Sequence, residues 1–555
     1  MSRPRPVGQP VHRHAVKCTR DSLERVRDTF ARTGDAAAVA LVAIVAVGIV
    51  LRGTQFLSGG SLWHDEALLG LDLIGRSLGD ALGRLDFAQA APAGYMLAEL
   101  GVARVAGYSE ESLRLLSLVA GVAALALFAV LARRILEPWA AVVATLAFAA
   151  ADGLVSYSSE LKPYSSDVLV TVVLLLLGVA ALDRALSTRR ALAIGVGGAI
   201  AILISFPSVF VAISVAVVLL APRRLNGWRQ SIQPRLPVVV LWGLAVLAVA
   251  VDSRVRAQTV RDAFESDSTA FGGSSSGSGI DVTWLDRFGS GLLHTVGLAQ
   301  DRPLSHLAKI GIVAVIVGLV SLVGRRPAIA GLLALPFAAA LLASRLHLYP
   351  LTARTTLFLL PPFLLLIADG VWWPARCIRG RLGVAVAAAA AAAVLGFPLY
   401  SAAYHVVHPR TNEELRPVLE ELRRAWRPGD TLYLHPGAQY AFRYYSDCDC
   451  LDPRSPRLDE LVPFTRVNGD STRSPAIESR SKSLVVGRRV VTDARLLRDD
   501  LAGLRGRVWF VYSHSDIHDE RLFFESEVPR VLDGLGTRLA TVERPGAAAL
   551  LYELS

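Results

Sequence analysis

The chain has 555 residues, 53% of them hydrophobic, with a formal net charge of +10 and a mean hydropathy of +0.44. Its apolar residues come in long uninterrupted blocks with the charges gathered between them. This excludes an ordinary soluble domain and indicates helices that cross a bilayer, each needing about 20 apolar residues. The basic surplus sits in short loops and the N-terminal tail, so membrane orientation accounts for it and no nucleic-acid partner is expected.

Residues 1–35 are polar and basic, too long a charged stretch for a cleavable signal, so the first apolar block reads as an uncleaved anchor. Spans are expected at Ala36–Leu51, Leu113–Ala132, Trp139–Val155, Val168–Leu182, Ala191–Ser205, Ser208–Ala221, Pro237–Val251, Leu307–Val323, Ala328–Ala343, Thr355–Val371 and Leu382–Ala403. That is about eleven helices, giving an all-α polytopic domain over residues 36–403. One set of alternate loops holds Arg133 and Arg134, then Arg184, Arg189 and Arg190, then Arg223, Arg224, Arg229 and Arg235, then Arg325 and Arg326, then Arg376, Arg379 and Arg381. The opposite short loops hold only Lys162, Arg345 and Arg354. The positive-inside rule then puts the N-terminus in the cytoplasm and the C-terminus outside, and the parity of eleven spans agrees.

Three outer segments are longer than connectors. Residues 52–112 contain two amphipathic stretches, Leu68–Ile74 and Met96–Val105, expected to lie in the membrane interface. Residues 252–306 include the flexible run Gly272–Gly279. Residues 404–555 change in composition and read as a small extracytoplasmic α/β domain. Thr411 and Glu414 form a capping box opening a helix through Trp426, and strands are expected at Asp430–His435, Arg507–Ser513, Arg538–Val542 and Ala547–Leu551. Of four cysteines, Cys18 and Cys377 fall on the cytoplasmic side. Cys448 and Cys450 fall outside, where a C-x-C pair is open to a small disulfide, a metal site or two plain thiols.

The polar groups with chemical potential sit at the outer ends of the spans. Trp63-His64-Asp65-Glu66 follows the first span by about a dozen residues. Taken alone, two adjacent carboxylates there are as well explained by a solvated loop with a tryptophan at the headgroups. The order of further elements changes that. Ser61-Leu62-Trp63-His64-Asp65-Glu66-Ala67, Pro92-Ala93-Gly94-Tyr95, Leu113-Arg114-Leu115-Leu116-Ser117, Tyr157-Ser158-Ser159-Glu160-Leu161-Lys162-Pro163-Tyr164 and Tyr349-Pro350 with Arg354 occur in sequence over residues 36–405. This succession resembles the GT-C glycosyltransferases, specifically the protein O-mannosyltransferases, the lipid A aminoarabinose transferases and their bacterial relatives.

The resemblance implies an enzyme of the bacterial plasma membrane that moves a sugar from a polyprenyl-phosphate donor to an extracytoplasmic acceptor, whether protein, glycolipid or cell-wall glycan. It implies Asp65 as general base, with Glu66 beside it in the catalytic pair. An inverting displacement needs no enzyme nucleophile, and the phosphate leaving group needs cations rather than an acid. Lys162 and Arg354 are the candidates, with Arg114 third; the plain alternative for each is snorkelling to headgroups. His64, Tyr95, Glu160 and Tyr164 are assigned to the substrate pocket, and Asp167 either shapes it or pairs with Lys162. The residues fix no cofactor; some members of the superfamily use a divalent metal and others do not, and Glu66, His64 and Glu160 are its candidate ligands here. Two departures stand out: His64 replaces a more usual aromatic or small residue, and Lys162 replaces a frequent arginine, losing the bidentate fork. The competing reading is a transporter or flippase of a lipid-linked sugar. It calls for internal repeats or mid-membrane charges, and neither is evident. No nucleotide-binding motif appears in the cytoplasmic loops, which favours a lipid-linked donor over a nucleotide sugar.

Overall fold

The computed structural model describes residues 35–87, 89–182, 186–221, 232–256, 282–296, 305–469, 475–487, 493–514 and 522–555. The basic tail, the Gly272–Gly279 run and the arginines at 184, 223, 224 and 229 lie outside the described residues.

Every expected apolar block is helical, because unbroken Ala, Val and Leu runs can satisfy their backbone groups in lipid only as helices. In chain order the helices are α1 Asp35–Leu57, α2 His64–Leu71, α3 Ala93–Ala106, α4 Glu110–Ile135, α5 Pro138–Ala150, α6 Asp152–Ser156, α7 Tyr164–Ala181, α8 Thr188–Ile202 and α9 Ser208–Leu220. They continue as α10 Leu236–Arg256, α11 Val282–Val296, α12 Ser305–Arg325, α13 Pro327–Arg345, α14 Leu360–Cys377 and α15 Arg381–Val407. Among the described residues, seven helices are long and apolar enough to cross a membrane: α1, α4, α7, α10, α13, α14 and α15. An eighth span forms if α5 and the segment beyond it, bent by 58°, count as one. Seven to eight of the about eleven expected spans are thus recovered by length and composition among the described residues. At 15 and 13 residues, α8 and α9 are only about 20 Å long, short of the roughly 30 Å hydrocarbon core. The chain is a multi-pass membrane protein.

Helix α14 is the central post, buried continuously from Leu360 to Val371. It meets α12 at glycines: a Cβ on Gly370 would strike the Ala314 carbonyl oxygen, and one on Gly318 the Leu366 carbonyl oxygen. The absence of side chains lets the two backbones touch. On the outside, Val39, Val42, Leu244, Leu247 and Val320 stay exposed, as lipid-facing side chains do.

Helix α15 runs four residues past the expected domain boundary at 403, to Val407. Beyond it, α16 Leu415–Ala425, β1 Thr431–Leu434, α17 Gln439–Asp447, β2 Phe464–Arg466, β3 Ile477–Ser479, β4 Leu484–Val486, β5 Gly506–Ser513, β6 Gly536–Arg544 and β7 Ala547–Leu554 build a C-terminal sheet domain. Its main sheet has the order β4-β1-β5-β7-β6, with β4, β1 and β5 parallel and β7 antiparallel to both β5 and β6. Short β2 and β3 form a separate ladder. The four expected strands are present with shifted ends. The capping box is not: α16 starts at Leu415, and the Glu414 carboxylate instead accepts from the Ser61 N–H at 3.2 Å and its Oγ at 3.1 Å.

That contact shows where the domain sits. Tyr440, Phe442, Tyr444 and Tyr445 of α17 share one hydrophobic core with Leu68, Leu69 and Leu71 of α2. Helix α2 is therefore buried under the sheet domain rather than lying against lipid, with six of its eight residues buried.

Candidate active site

Consecutive residues on a helix point about 100° apart, so Asp65 and Glu66 face different partners. Glu66 is fully buried. Its Oε1 accepts from Arg114 Nε at 2.9 Å and from the Leu161 N–H at 2.6 Å; its Oε2 accepts from Arg114 Nη2 at 2.6 Å and from the Trp63 N–H at 3.4 Å. Arg114 spends its other donors on the Gly60 and Ser61 carbonyls, at 2.5 and 2.9 Å. The pair bolts three motif segments together: the first turn of α2, the Leu113–Ser117 entry to α4, and the loop before Lys162.

Asp65 points the other way, with a fifth of its side chain exposed, into a cavity of about 540 Å³. Arg354 Nη1 bonds its Oδ2. Burial alone would raise the Asp65 carboxyl, but Lys162, Arg354 and His64 outweigh it and hold the group at about 2. Lys162 is buried on the same cavity, its Nζ donating to Gln89 Oε1 at 2.9 Å rather than to Asp167. Burial lowers the pKa of its ammonium, against the pull of Asp65. Arg354 is held by a self-bonded turn in which Tyr349 Oη donates to the Thr355 carbonyl at 3.0 Å and Thr355 Oγ1 to that of Pro350 at 2.7 Å. Tyr164, Asp167 and Arg254 complete the polar end; Phe206, Val209, Phe210, Val249 and Leu348 make the apolar walls.

Asp65, Lys162, Arg354 and Tyr164 thus line one cavity. Five other residues do not line this cavity. Arg114, expected at the donor phosphate, is consumed by Glu66. Tyr95 is fully buried in the core beneath the sheet domain, not in a substrate pocket. Glu160 borders a separate polar cavity of about 30 Å³ with Glu66, Arg114 and Glu414. There its Oε1 accepts from Ser156 Oγ at 3.3 Å, and its Oε2 has no partner among the described residues. Burial, then Glu66, push its carboxyl up to about 7 against Arg114. His64 turns towards the sheet domain: its ring stacks on His514 at 4.3 Å, and its Nδ1 lies 3.2 Å from the Gly437 carbonyl oxygen. Burial and His514 lower its pKa to about 4 despite Asp65, so the imidazole is neutral at pH 7. Glu66, His64 and Glu160 therefore do not converge on one point, and among the described residues no cluster of three His, Cys, Asp or Glu side chains is arranged to hold a metal ion.

Gln89 and Arg254 escaped the sequence reading, although Gln89 stands three residues before the Pro92–Tyr95 element. Cys448 and Cys450 are joined as a disulfide, which closes the alternatives left open for them, and Cys377 is free and exposed.

Residues 89–251 match the family model of the dolichyl-phosphate-mannose-protein mannosyltransferases. The match spans 163 of the 555 residues. That match takes in Gln89, Lys162, Tyr164 and Asp167, and leaves Asp65 before it and Arg354 after it. A comparison with curated proteins finds no match. Among solved structures, the chain is similar to the archaeal oligosaccharyltransferase AglB from Archaeoglobus fulgidus in complex with an inhibitory peptide and a dolichol-phosphate. The TM-score there is 0.47 at 11% identity, over 94% of this chain and 74% of that one. It is also similar to ArnT from Cupriavidus metallidurans bound to undecaprenyl phosphate, with a TM-score of 0.45 at 13% identity, over 92% of this chain and 97% of that one.

Proposed function

We propose that the protein transfers a sugar from a polyprenyl-phosphate donor to a hydroxyl of an extracytoplasmic acceptor, with inversion at the anomeric carbon. The observation that carries this reading is one cavity with an apolar wall suited to a lipid chain and, at its polar end, Asp65 between the cations of Lys162 and Arg354. The family match over residues 89–251 supports a polyprenyl-phosphate sugar as donor. On the arginine asymmetry of the loops the N-terminus is cytoplasmic and the sheet domain extracytoplasmic; the bacterial plasma membrane follows from the family resemblance.

The donor phosphate binds to Lys162 and Arg354, with Arg254 at the rim. The acceptor oxygen attacks the anomeric carbon and its proton passes to Asp65. The bond from that carbon to the phosphate oxygen breaks, and the cations stabilise the charge on the departing polyprenyl phosphate. At about 2, Asp65 is a weak base while it holds Arg354. A donor phosphate competes for the same two cations, loosens their grip on Asp65 and makes it more basic only when substrate is present. Glu66 does no chemistry here; with Arg114 it fixes the turn that carries Asp65.

Transfer of labelled sugar from polyprenyl-phosphate donors by the purified protein tests this. Asp65→Asn keeps shape but cannot take the proton, and transfer should fall by about two to four decades with the fold intact. Full transfer by this variant would overturn the assignment of Asp65. A folded wild type that binds the donor and transfers from none would turn the reading towards a flippase.

A further inference from the structure

Helix α2 carries Asp65, yet its own N-cap residue is Trp63, whose indole has no hydrogen-bond acceptor to offer the first turn. Glu66 Oε2 takes the Trp63 N–H from within the turn, and the remaining first-turn N–H groups must be met from elsewhere. The His64 N–H donates to Glu413 Oε2 at 3.1 Å, across 349 residues. The other oxygen of Glu413 bonds His514 Nδ1 at 2.7 Å, and the His514 ring is the one stacked on His64. Glu413 is buried, and a carboxylate at a helix N-terminus also complements the helix dipole. His514 adopts φ 65°, in the left-handed region that few non-glycine residues occupy. One residue upstream, the Leu62 N–H donates to Tyr445 Oη at 2.8 Å, so the same domain holds the approach to the turn as well.

We infer that the C-terminal sheet domain is a positioning element of the active site: Glu413, set by His514, supplies the cap that α2 lacks and thereby fixes the direction of Asp65. The consequence for turnover rests on the proposed function; the capping does not. Misplacing a base by a fraction of an ångström acts on the chemical step and leaves donor binding, which depends on Lys162 and Arg354, largely alone.

The test uses full-length Glu413→Ala, Glu413→Gln and His514→Phe, with Val531→Ala as a control that destabilises the core of the same domain without touching α2. Hydrogen exchange over residues 61–71 is read first. It should quicken about tenfold at the first-turn amides in Glu413→Ala and stay near wild type in Val531→Ala. In the transfer assay, Glu413→Ala and His514→Phe should lower kcat about tenfold with donor KM within about twofold. Glu413→Gln, which keeps an oxygen for the His64 N–H, should recover most of the loss. Unchanged exchange in Glu413→Ala, or a kcat loss matched by Val531→Ala, overturns the inference. If no donor is turned over by the wild type, the proposed function fails while exchange still decides whether Glu413 caps α2.

Discussion

The division of labour between Asp65 and Glu66 can be broken at Glu66. In Glu66→Gln one oxygen becomes an NH2 group. Of four hydrogen bonds accepted by the carboxylate, two to Arg114, one to the Leu161 N–H and one to the Trp63 N–H, the amide can keep only those reaching its remaining oxygen. Whichever way it turns, its NH2 faces an Arg114 donor. At about 1.5–3 kcal/mol for each hydrogen bond to a charged group, two lost or inverted contacts amount to about 3–6 kcal/mol. The usual cost of stranding one member of a buried ion pair, about 3–5 kcal/mol, agrees. The loss should appear as a reduced folded, monodisperse fraction in detergent and a lower unfolding midpoint, with turnover per folded molecule falling much less. Glu66→Gln combined with Arg114→Met removes the stranded charge and should recover much of the midpoint, a coupling that a double-mutant cycle reads directly. A Glu66→Gln protein of wild-type stability that has lost only its rate would refute this and return Glu66 to the chemistry.

Three further outcomes are expected. Lys162→Ala and Arg354→Ala should each raise the KM for the lipid-linked donor by about one to two decades, from loss of a charge-assisted contact to phosphate, with acceptor KM little changed; unaltered donor KM in both would leave these residues as headgroup anchors. Glu160 is raised from 4.5 to about 7, so the stability it contributes is fully present below 4.5 and is lost as pH rises through 7. The unfolding midpoint should fall across that window, and Glu160→Gln should flatten the slope; an equal slope in both proteins would contradict it. Alkylation of the denatured, unreduced chain should modify Cys18 and Cys377 and spare the bonded Cys448 and Cys450; modification at all four would contradict the pairing.

The helices were legible because burial in lipid leaves a continuous signature in the sequence, blurred only at helix ends. α5 breaks at Ala151, where the Asp152-Gly153 that follows carried a turn signal inside the expected span Trp139–Val155. The cationic site was half legible. Lys162 and Arg354 stood out as rare positives on the outer loops, whereas Arg114 stood third behind them until the structure gave it to Glu66. Two neighbouring carboxylates look alike in one dimension; the turn of the helix separates them. Gln89 and Arg254 carried no signal, since a neutral amide and an arginine at a helix end are ordinary residues there. The seating of the sheet domain on α2 was hidden for a different reason. Glu413, Glu414, Tyr445 and His514 act on residues 61–64 from more than 340 positions away, and such a pairing leaves no periodicity to read.

That distance also sets a clock. At about 5–20 residues per second, a ribosome that has just made His64 needs about 20–70 s more to make Glu413. Throughout that interval Asp65 and its neighbours stand in a growing chain with the first turn of α2 uncapped. Competence arrives late and all at once, when the last quarter of the polypeptide settles over its beginning. On the proposed function, a nascent chain is thereby kept from acting on lipid-linked sugar before the protein around its carboxylate is whole.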